Sequence, residues 1–260
     1  MQISIPKKDW LHTLRFSKID LWISTLELLK EEVAQNTRFN AKKIKTIPLA
    51  VELPNVQMTK QEARAKLNLP QQAFMIGIVG RLDMLKGQHF LIECMAKLNA
   101  PLYNLHLLIV GEPTLNMGRD YETKLYQMVE GYKLGQHVHF KPFTKNLGEI
   151  YTALDVFAMA SAKETFGMVT IEAMWHALPI IGTNTGGTIE LLGNGEYGLL
   201  YQPDNHSEFI EKLLLLYQNP GIRQELTEKA GRHARAVFNK ETIAKQLADC
   251  LANVITANKV

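Results

Sequence analysis

From Phe74 onward the chain alternates short apolar runs with longer amphipathic stretches, and this rhythm predicts its architecture. Phe74–Val79 is an unbroken apolar run of strand length that ends in Gly80-Arg81. A helix is expected over about 87–98, then a strand over 105–110 that ends in Gly111-Glu112. Tyr121, Leu125, Met128 and Val129 then fall on one face of a helix. Strand 137–140, helix 146–153, strand 155–158, helix 168–176, strand 179–182, a short helix at 187–192 and strand 198–201 continue the series. Helices over about 206–217, 222–237 and 240–257 close it. Strands without long alternation, each followed by a helix, predict a parallel sheet covered on both faces. The expected fold class is α/β, a doubly wound parallel sheet.

The front of the chain is less regular. Residues 1–18 show no strong pattern. Residues 19–23 read as a strand, with Ser24 as N-cap of a helix running to about Gln35. Residues 43–47 read as a second strand, stopped by Pro48. The stretch 50–59 holds Pro54 and no periodicity, which suits a linker. Thr59-Lys60-Gln61-Glu62 is a capping box, so a helix follows as far as Leu67 and Pro70 ends it. The boundaries expected are a remnant plus linker over 1–54, a doubly wound domain over 55–238 and a final helix over 239–260.

Composition narrows the function classes. Hydrophobic residues make up 46% and charged residues 21% of 260, enough for a substantial core. A net charge of +3 is too small to argue for nucleic acid, and Lys42, Lys43 and Lys45 read as a solvated edge. Cys94 and Cys250 sit in apolar helical patterns and read as core residues of a reducing compartment. No apolar run is long enough to span a bilayer and no signal-like segment opens the chain. The expected location is cytoplasmic, with a peripheral place at the inner face of the membrane left open.

In a doubly wound sheet, ligands bind outside the carboxyl ends of the strands. That rule selects Gly80-Arg81, Gly111-Glu112, the loop after Phe140, and the stretches 161–167 and 183–187. The richest is 161–190, where Glu164 and Glu172 flank Thr165-Phe166-Gly167 and the start of the helix at Met168. A helix N-terminus offers unpaired N–H groups and partial positive charge, a seat for a phosphate or a polyhydroxylated ligand. A carboxylate before that seat and another within it can accept hydrogen bonds from hydroxyls on either side of a phosphate. In the loop 80–87, Arg81 can grip a phosphate bidentately and Lys86 can add a mobile point charge, which suits a diphosphate. The dinucleotide fingerprint G-x-G-x-x-G is absent, as is any D-x-D for a metal–diphosphate grip. Ser161 lacks a G-x-S-x-G setting. His137-x-His139 is the one ligand-like pairing, and it reads as structural, with no metal site expected. Met174, Trp175 and Leu178 read as core packing under the site.

In order and spacing, G-R-L-x-x-x-K-G, a strand ending in G-E, E-T-F-G-M-V-T-I-E-A-M, L-P-I-I-G-T, G-G-x-x-E-L and G-L-L-Y form a recognisable set. They resemble the donor-binding half of the retaining glycosyltransferases of GT-B fold, family 4 (glycosyl transferases group 1). The likeness covers roughly residues 70–238 and is most specific over 155–203. It implies a Rossmann-like half-domain that binds a nucleotide-diphosphate sugar, such as a UDP-, GDP- or ADP-sugar. Glu164 and Glu172 would be the ends of the family's E-x7-E motif, contacting hydroxyls of the donor sugar and of the ribose respectively. The backbone at Gly80, Thr165, Phe166, Gly167, Met168 and Val169 would hold sugar and phosphates. Arg81 and Lys86 would bind the diphosphate and offset charge as the leaving group departs. Phe140, Lys141, Pro142 and Phe143 would lie against the base. The resemblance further implies retention at the anomeric carbon; no cofactor is expected, and with no D-x-D present the expected mechanism is metal-independent, Arg81, Lys86 and the helix N-terminus standing in for a divalent cation.

Three positions depart from the family pattern. Ala177 stands where glycine is usual before Leu-Pro, Pro113 follows Gly111-Glu112, and Pro48-Leu49-Ala50-Val51 replaces Pro-Asn-Gly-Val. At the front, residues 1–50 resemble only the last strand–helix–strand of the acceptor-side half. The expectation is a fragment of a longer enzyme, missing its N-terminal domain and inactive alone toward an unknown acceptor. A non-catalytic nucleotide-sugar module acting through a partner chain is the second reading, and another GT-B-type enzyme, such as an epimerase or a phosphorylase, the third.

Overall fold

The computed structural model describes residues 5–52, 57–113 and 119–257. In chain order the strands are β1 (Trp22–Ser24), β2 (Ile44–Thr46), β3 (Phe74–Val79), β4 (Leu105–Val110), β5 (Val138–Lys141), β6 (Val156–Met159), β7 (Ile180–Thr183) and β8 (Leu199–Tyr201). The α-helices are α1 (Trp10–Ser17), α2 (Glu27–Asn36), α3 (Lys60–Lys66), α4 (Gln88–Lys97), α5 (Asp120–Gly131), α6 (Leu147–Ala153), α7 (Met168–Trp175), α8 (Gly186–Leu191), α9 (His206–Gln218), α10 (Pro220–Val237) and α11 (Lys240–Ala257). The chain divides into two compact units, Leu53–Arg232 and Met1–Glu52 with His233–Val260.

The larger unit is a six-stranded parallel sheet in the order β5-β4-β3-β6-β7-β8. β4, β6 and β7 are buried along their whole length, which explains why their sequences run apolar without alternation. Ile76 and Ile78 of β3 share a core with Phe90, Leu91 and Met95 of α4, Leu125 of α5 and Leu213 of α9. Gly77, between them in sequence, faces the other side, where a Cβ would stand 2.2 Å from the Leu154 side chain. Thr59 caps α3 with the full capping box, its hydroxyl accepting from Glu62 N while the Glu62 carboxylate accepts from Thr59 N.

α7 ends in a Schellman motif, with Leu178 N donating to Ala173 O at 3.0 Å and Ala177 N to Met174 O at 3.0 Å. The motif holds Ala177 at φ 55°, the left-handed region in which a Cβ is strained. This is the position where the family pattern has glycine, so the substitution is a stability matter. Ala177→Gly is expected to raise unfolding free energy by about 1 kcal/mol, read as an increased urea midpoint with unchanged slope.

The smaller unit pairs β1 and β2 in parallel, with Trp22, Ile23 and Ser24 opposite Ile44, Lys45 and Thr46. Phe16, Trp22, Val33, Phe39 and Ile44 form its core. Two sequence expectations fail here. Ser24 does not cap α2: it is the last residue of β1, buried, with its carbonyl accepting from Ile47 N at 2.9 Å. The helix begins at Glu27 after Leu26, with no side-chain cap. Residues 1–18, read as patternless, contain α1, capped by Asp9 accepting from His12 N at 3.0 Å. Trp10, Leu11 and Leu14 are exposed and only Phe16 of this helix is buried, so no core-facing stripe marks it in the sequence. The expected linker over 50–59 lies partly outside the described residues.

Candidate active site

The strand order reverses between β3 and β6. Successive strands step outward from β3 through β4 to β5, and from β6 through β7 to β8. The crossover connections that follow these two central strands run to opposite faces of the sheet and leave a crevice at the strands' carboxyl ends, the topological switch point of a doubly wound sheet. Their first loops are 80–87 and 160–167, the two richest in candidate chemistry.

The loops are clamped to each other through their backbones. Ala162 N donates to Leu85 O at 3.0 Å. Gly87, at φ 78°, lies so near Ala160 that a Cβ there would stand 2.2 Å from the Ala160 carbonyl oxygen. The loop after β7 holds the same segment from the other side. Thr183 Oγ1 donates to Ser161 O at 2.9 Å, and Gly187 N to Glu164 O at 2.9 Å. Gly186, at φ 54°, permits that contact, because a Cβ would stand 2.4 Å from the same carbonyl. The backbone of Glu164 is thus fixed before its side chain does anything.

The side chains of Lys86 and Glu164, 78 residues apart, form an ion pair across the crevice, Nζ to Oε2 at 2.6 Å. Oε2 also accepts from Ser161 Oγ at 3.2 Å, while Oε1 accepts from Thr165 N at 3.2 Å. The pair is largely withdrawn from solvent, with 26% of the lysine side chain and 13% of the glutamate exposed. It borders a cavity of about 350 Å³ lined further by Gly80, Thr165, Phe166, Gly167, Met168 and Val169. α7 begins at this cavity after Gly167, and no side chain caps it. Its first amides and their partial positive charge therefore face the same space as the ion pair.

Arg81 is exposed at the start of the β3 loop. Its carbonyl accepts from Gln88 Nε2 at 2.8 Å, and Gln88, fully buried, accepts from the Tyr121 hydroxyl at 3.3 Å. Gln88 was not singled out in the sequence, since its position reads simply as the first turn of α4. Glu172 lies four residues along α7 from Met168 and so on the same helix face, one turn below the cavity. Its Oε2 accepts from the Tyr151 hydroxyl at 2.6 Å. Burial pushes the Glu172 carboxyl above its ordinary range and the Tyr151 hydrogen bond acts against that. Met174 and Leu178 are buried, and Trp175 is half-buried.

Phe140, Lys141, Pro142 and Phe143 stand at the carboxyl end of β5, the edge strand, and do not line this cavity. The Phe140 ring packs on Tyr126 with centroids 4.4 Å apart, while Phe143 is exposed. His137 and His139 do not stand alone. His106 of β4 shares a hydrogen bond with His139, Nδ1 to Nε2 at 2.9 Å, and His137 Nδ1 bonds Leu105 O at 3.0 Å. Burial, then His137, His139 and Arg64, lowers the His106 pKa to about 4, and burial with Lys141 and His137 lowers His139. Folding therefore disfavours protonated His106. Its contribution is neutral above pH 6.5 and becomes a penalty as pH falls toward 4. About 2–3 kcal/mol of stability should disappear between pH 7 and 4.5. Urea unfolding of the wild type and of His106→Gln across that range should show a shallower slope for the variant. Among the described residues no group of three His, Cys, Asp or Glu is placed to hold a metal ion. None of the described helices is long and apolar enough to cross a membrane.

A parallel sheet wound in this order, with a helix start and paired charges at its switch point, is a Rossmann-like α/β fold. The family profile described as glycosyl transferases group 1 matches residues 59–235, and the chain belongs to that family. It is 33% identical over 207 residues to the D-inositol 3-phosphate glycosyltransferase of Corynebacterium urealyticum, covering 78% of this chain and 48% of that protein. It is 29% identical over 237 residues to the N-acetylgalactosamine-N,N'-diacetylbacillosaminyl-diphospho-undecaprenol 4-alpha-N-acetylgalactosaminyltransferase of Campylobacter jejuni, covering 91% of this chain and 61% of that protein. Among solved structures, Anabaena Alr3699/HepE in complex with UDP and glucose superposes with a TM-score of 0.84 at 25% identity, over 93% of this chain and 66% of the other. The chain spans about half the length of the inositol-phosphate glycosyltransferases it matches.

Proposed function

We propose that this chain is the donor-binding part of a retaining glycosyltransferase that transfers a sugar from a nucleoside diphosphate to an acceptor hydroxyl. The observation that carries the reading is the Lys86–Glu164 pair beside the uncapped start of α7. Such a site presents a cation and helix amides to a diphosphate, and a fixed carboxylate to sugar hydroxyls. UDP is the first nucleotide to test, because the HepE structure contains it.

In the reaction, negative charge builds on the departing diphosphate. Lys86, Arg81 and the first amides of α7 are the groups of this chain that offset it, and no metal is assigned. Glu164 is a recognition group in this scheme. Both its oxygens already accept hydrogen bonds, from Lys86, Ser161 and Thr165, which suits holding hydroxyls better than attack on the anomeric carbon. The donor's own phosphate oxygen then takes the proton of the incoming hydroxyl on the face the diphosphate leaves, and configuration is retained. A sugar trapped covalently on Glu164 would overturn this.

The direct test is thermal unfolding with UDP, GDP and ADP at millimolar concentration. A ligand present at about 100 times its Kd stabilises the folded state by about 2.7 kcal/mol, so one nucleotide should raise Tm by several degrees. No shift with any of them would defeat the site reading. Glu164→Ala should weaken the binding of a UDP-sugar about tenfold or more relative to UDP, and Arg81→Ala should weaken both alike. The 260-residue chain alone is expected to transfer no sugar to an added acceptor, and measurable turnover would show that it carries its own acceptor site.

A further inference from the structure

Gln88 is the first residue of α4, two positions after Lys86, and none of its surface is exposed. A glutamine buried so completely costs free energy unless both ends of its amide find partners. Its Nε2 donates to Arg81 O at 2.8 Å, and its Oε1 accepts from the Tyr121 hydroxyl of α5 at 3.3 Å. These partners also fix which way the amide points, because a backbone carbonyl can only accept. The Tyr121 oxygen accepts in turn from His89 N at 3.2 Å and lies 2.9 Å from His89 Nδ1. With the phenol proton given to Gln88, that imidazole nitrogen carries its own proton and donates. Burial pushes the Tyr121 phenol up to about 12, so it stays a donor through the neutral range.

The consequence for the site lies in which residues are joined. The bond from Gln88 to Arg81 O ties the end of the β3 loop to its beginning and closes residues 81–88 into a cycle. Other contacts hold the rest of that cycle. Leu82 N donates to Glu112 O at 2.9 Å, just beyond the end of β4. Asp83 caps the 3₁₀ turn Met84–Lys86, accepting from Leu85 N at 2.9 Å. Lys86 ends that turn, and of the residues in the cycle it is the one that lines the cavity and pairs with Glu164. A lysine side chain is long and flexible, so its ammonium is placed only as well as the backbone beneath it is held.

We infer that Gln88 and Tyr121 are positioning residues that hold the Lys86 loop in place for the diphosphate of the donor. The inference rests on the donor-site reading above and adds to it two residues that act through Lys86.

The test is a double-mutant cycle, read by calorimetric titration of UDP, or of GDP or ADP if thermal unfolding selects it, well below the Tm of every variant. Gln88→Met keeps the length and bulk of the side chain and removes both hydrogen bonds. It should weaken the nucleotide about tenfold in the wild-type background, and about twofold or less once Lys86→Ala is present. Tyr121→Phe leaves Gln88 in place without its donor, and it carries the cycle if Gln88→Met folds poorly. It should weaken the nucleotide about threefold, again only in chains that retain Lys86. Both variants lose stability as well, so Tm alone does not decide the matter. A Gln88 that only completes the core would lower Tm and either leave nucleotide affinity at the wild-type value or weaken it equally with and without Lys86. Either result would overturn the inference and leave the donor reading intact. Wild-type protein that binds none of the three nucleotides would overturn both.

Discussion

Asp155→Ala is expected to lower the unfolding free energy by about 3–5 kcal/mol, a large part of the 5–15 kcal/mol typical of a domain. Asp155 Oδ2 accepts from Arg64 Nη2 at 2.6 Å and from Met75 N at 2.7 Å, and Oδ1 accepts from Lys60 Nζ at 2.6 Å. Only 5% of the Arg64 side chain is exposed. Its other donors are engaged by carbonyls, Nε by Ala153 O and Nη1 by Gln71 O, both at 2.9 Å. Removing Asp155 therefore strands a buried guanidinium without its countercharge and leaves Met75 N without its acceptor. The Lys60 contact adds little, since that side chain is 45% exposed. The effect should be one of stability alone. Asp155 and Met75 stand at the amino ends of β6 and β3, while Gly80 and Ser161 lie beyond their carboxyl ends. Urea denaturation should show the loss, and UDP affinity measured well below the lowered Tm should stay within about twofold of wild type. Asp155→Asn keeps the acceptor oxygen and should lose clearly less. A loss below 1 kcal/mol in the alanine variant would mean that Arg64 finds a new countercharge.

Asp155 also shows where reading the sequence succeeds and where it stops. The strands of the larger unit were legible because burial on both faces leaves continuous apolar runs, as in Leu105–Val110. Their carboxyl ends were legible as well, since glycine or a polar cluster follows each run. Hence Glu164, Lys86 and the start of α7 stand out as candidates in the sequence itself. What pattern cannot supply is pairing across long separations. Nothing around Asp155 announces an arginine 91 residues earlier, and nothing in Tyr151, one more aromatic in a buried helix, announces Glu172. The order β5-β4-β3-β6-β7-β8 is of the same kind, because a string of alternating strands and helices states succession but not adjacency. In the smaller unit the signals were local and misassigned. Ser24 has the chemistry of an N-cap, but its carbonyl is committed to a strand partner, and tertiary pairing overrides local propensity.

Lys86→Ala is expected to weaken UDP about a hundredfold, and removing Glu164 in the same chain should recover about tenfold of that loss. The sign of the second effect follows from the ion pair. In the wild type, Lys86 neutralises Glu164 at 2.6 Å in a place where little of either side chain meets water. Truncating the lysine removes a charge-assisted hydrogen bond to the diphosphate. It also leaves an unscreened carboxylate facing an anion across a crevice, where Coulomb forces are stronger than in bulk water. Glu164→Ala removes that repulsion. On its own it also releases Lys86 from competition, so UDP affinity should hold or rise even as the preference for a UDP-sugar is lost. Titration calorimetry of UDP on the wild type, both single variants and the double variant completes the cycle. Strong non-additivity of this sign would identify one site in which cation and carboxylate meet the same ligand. Additive losses would place Lys86 and Glu164 on different ligands or on none, and the proposed division of labour between diphosphate and sugar would have to be abandoned.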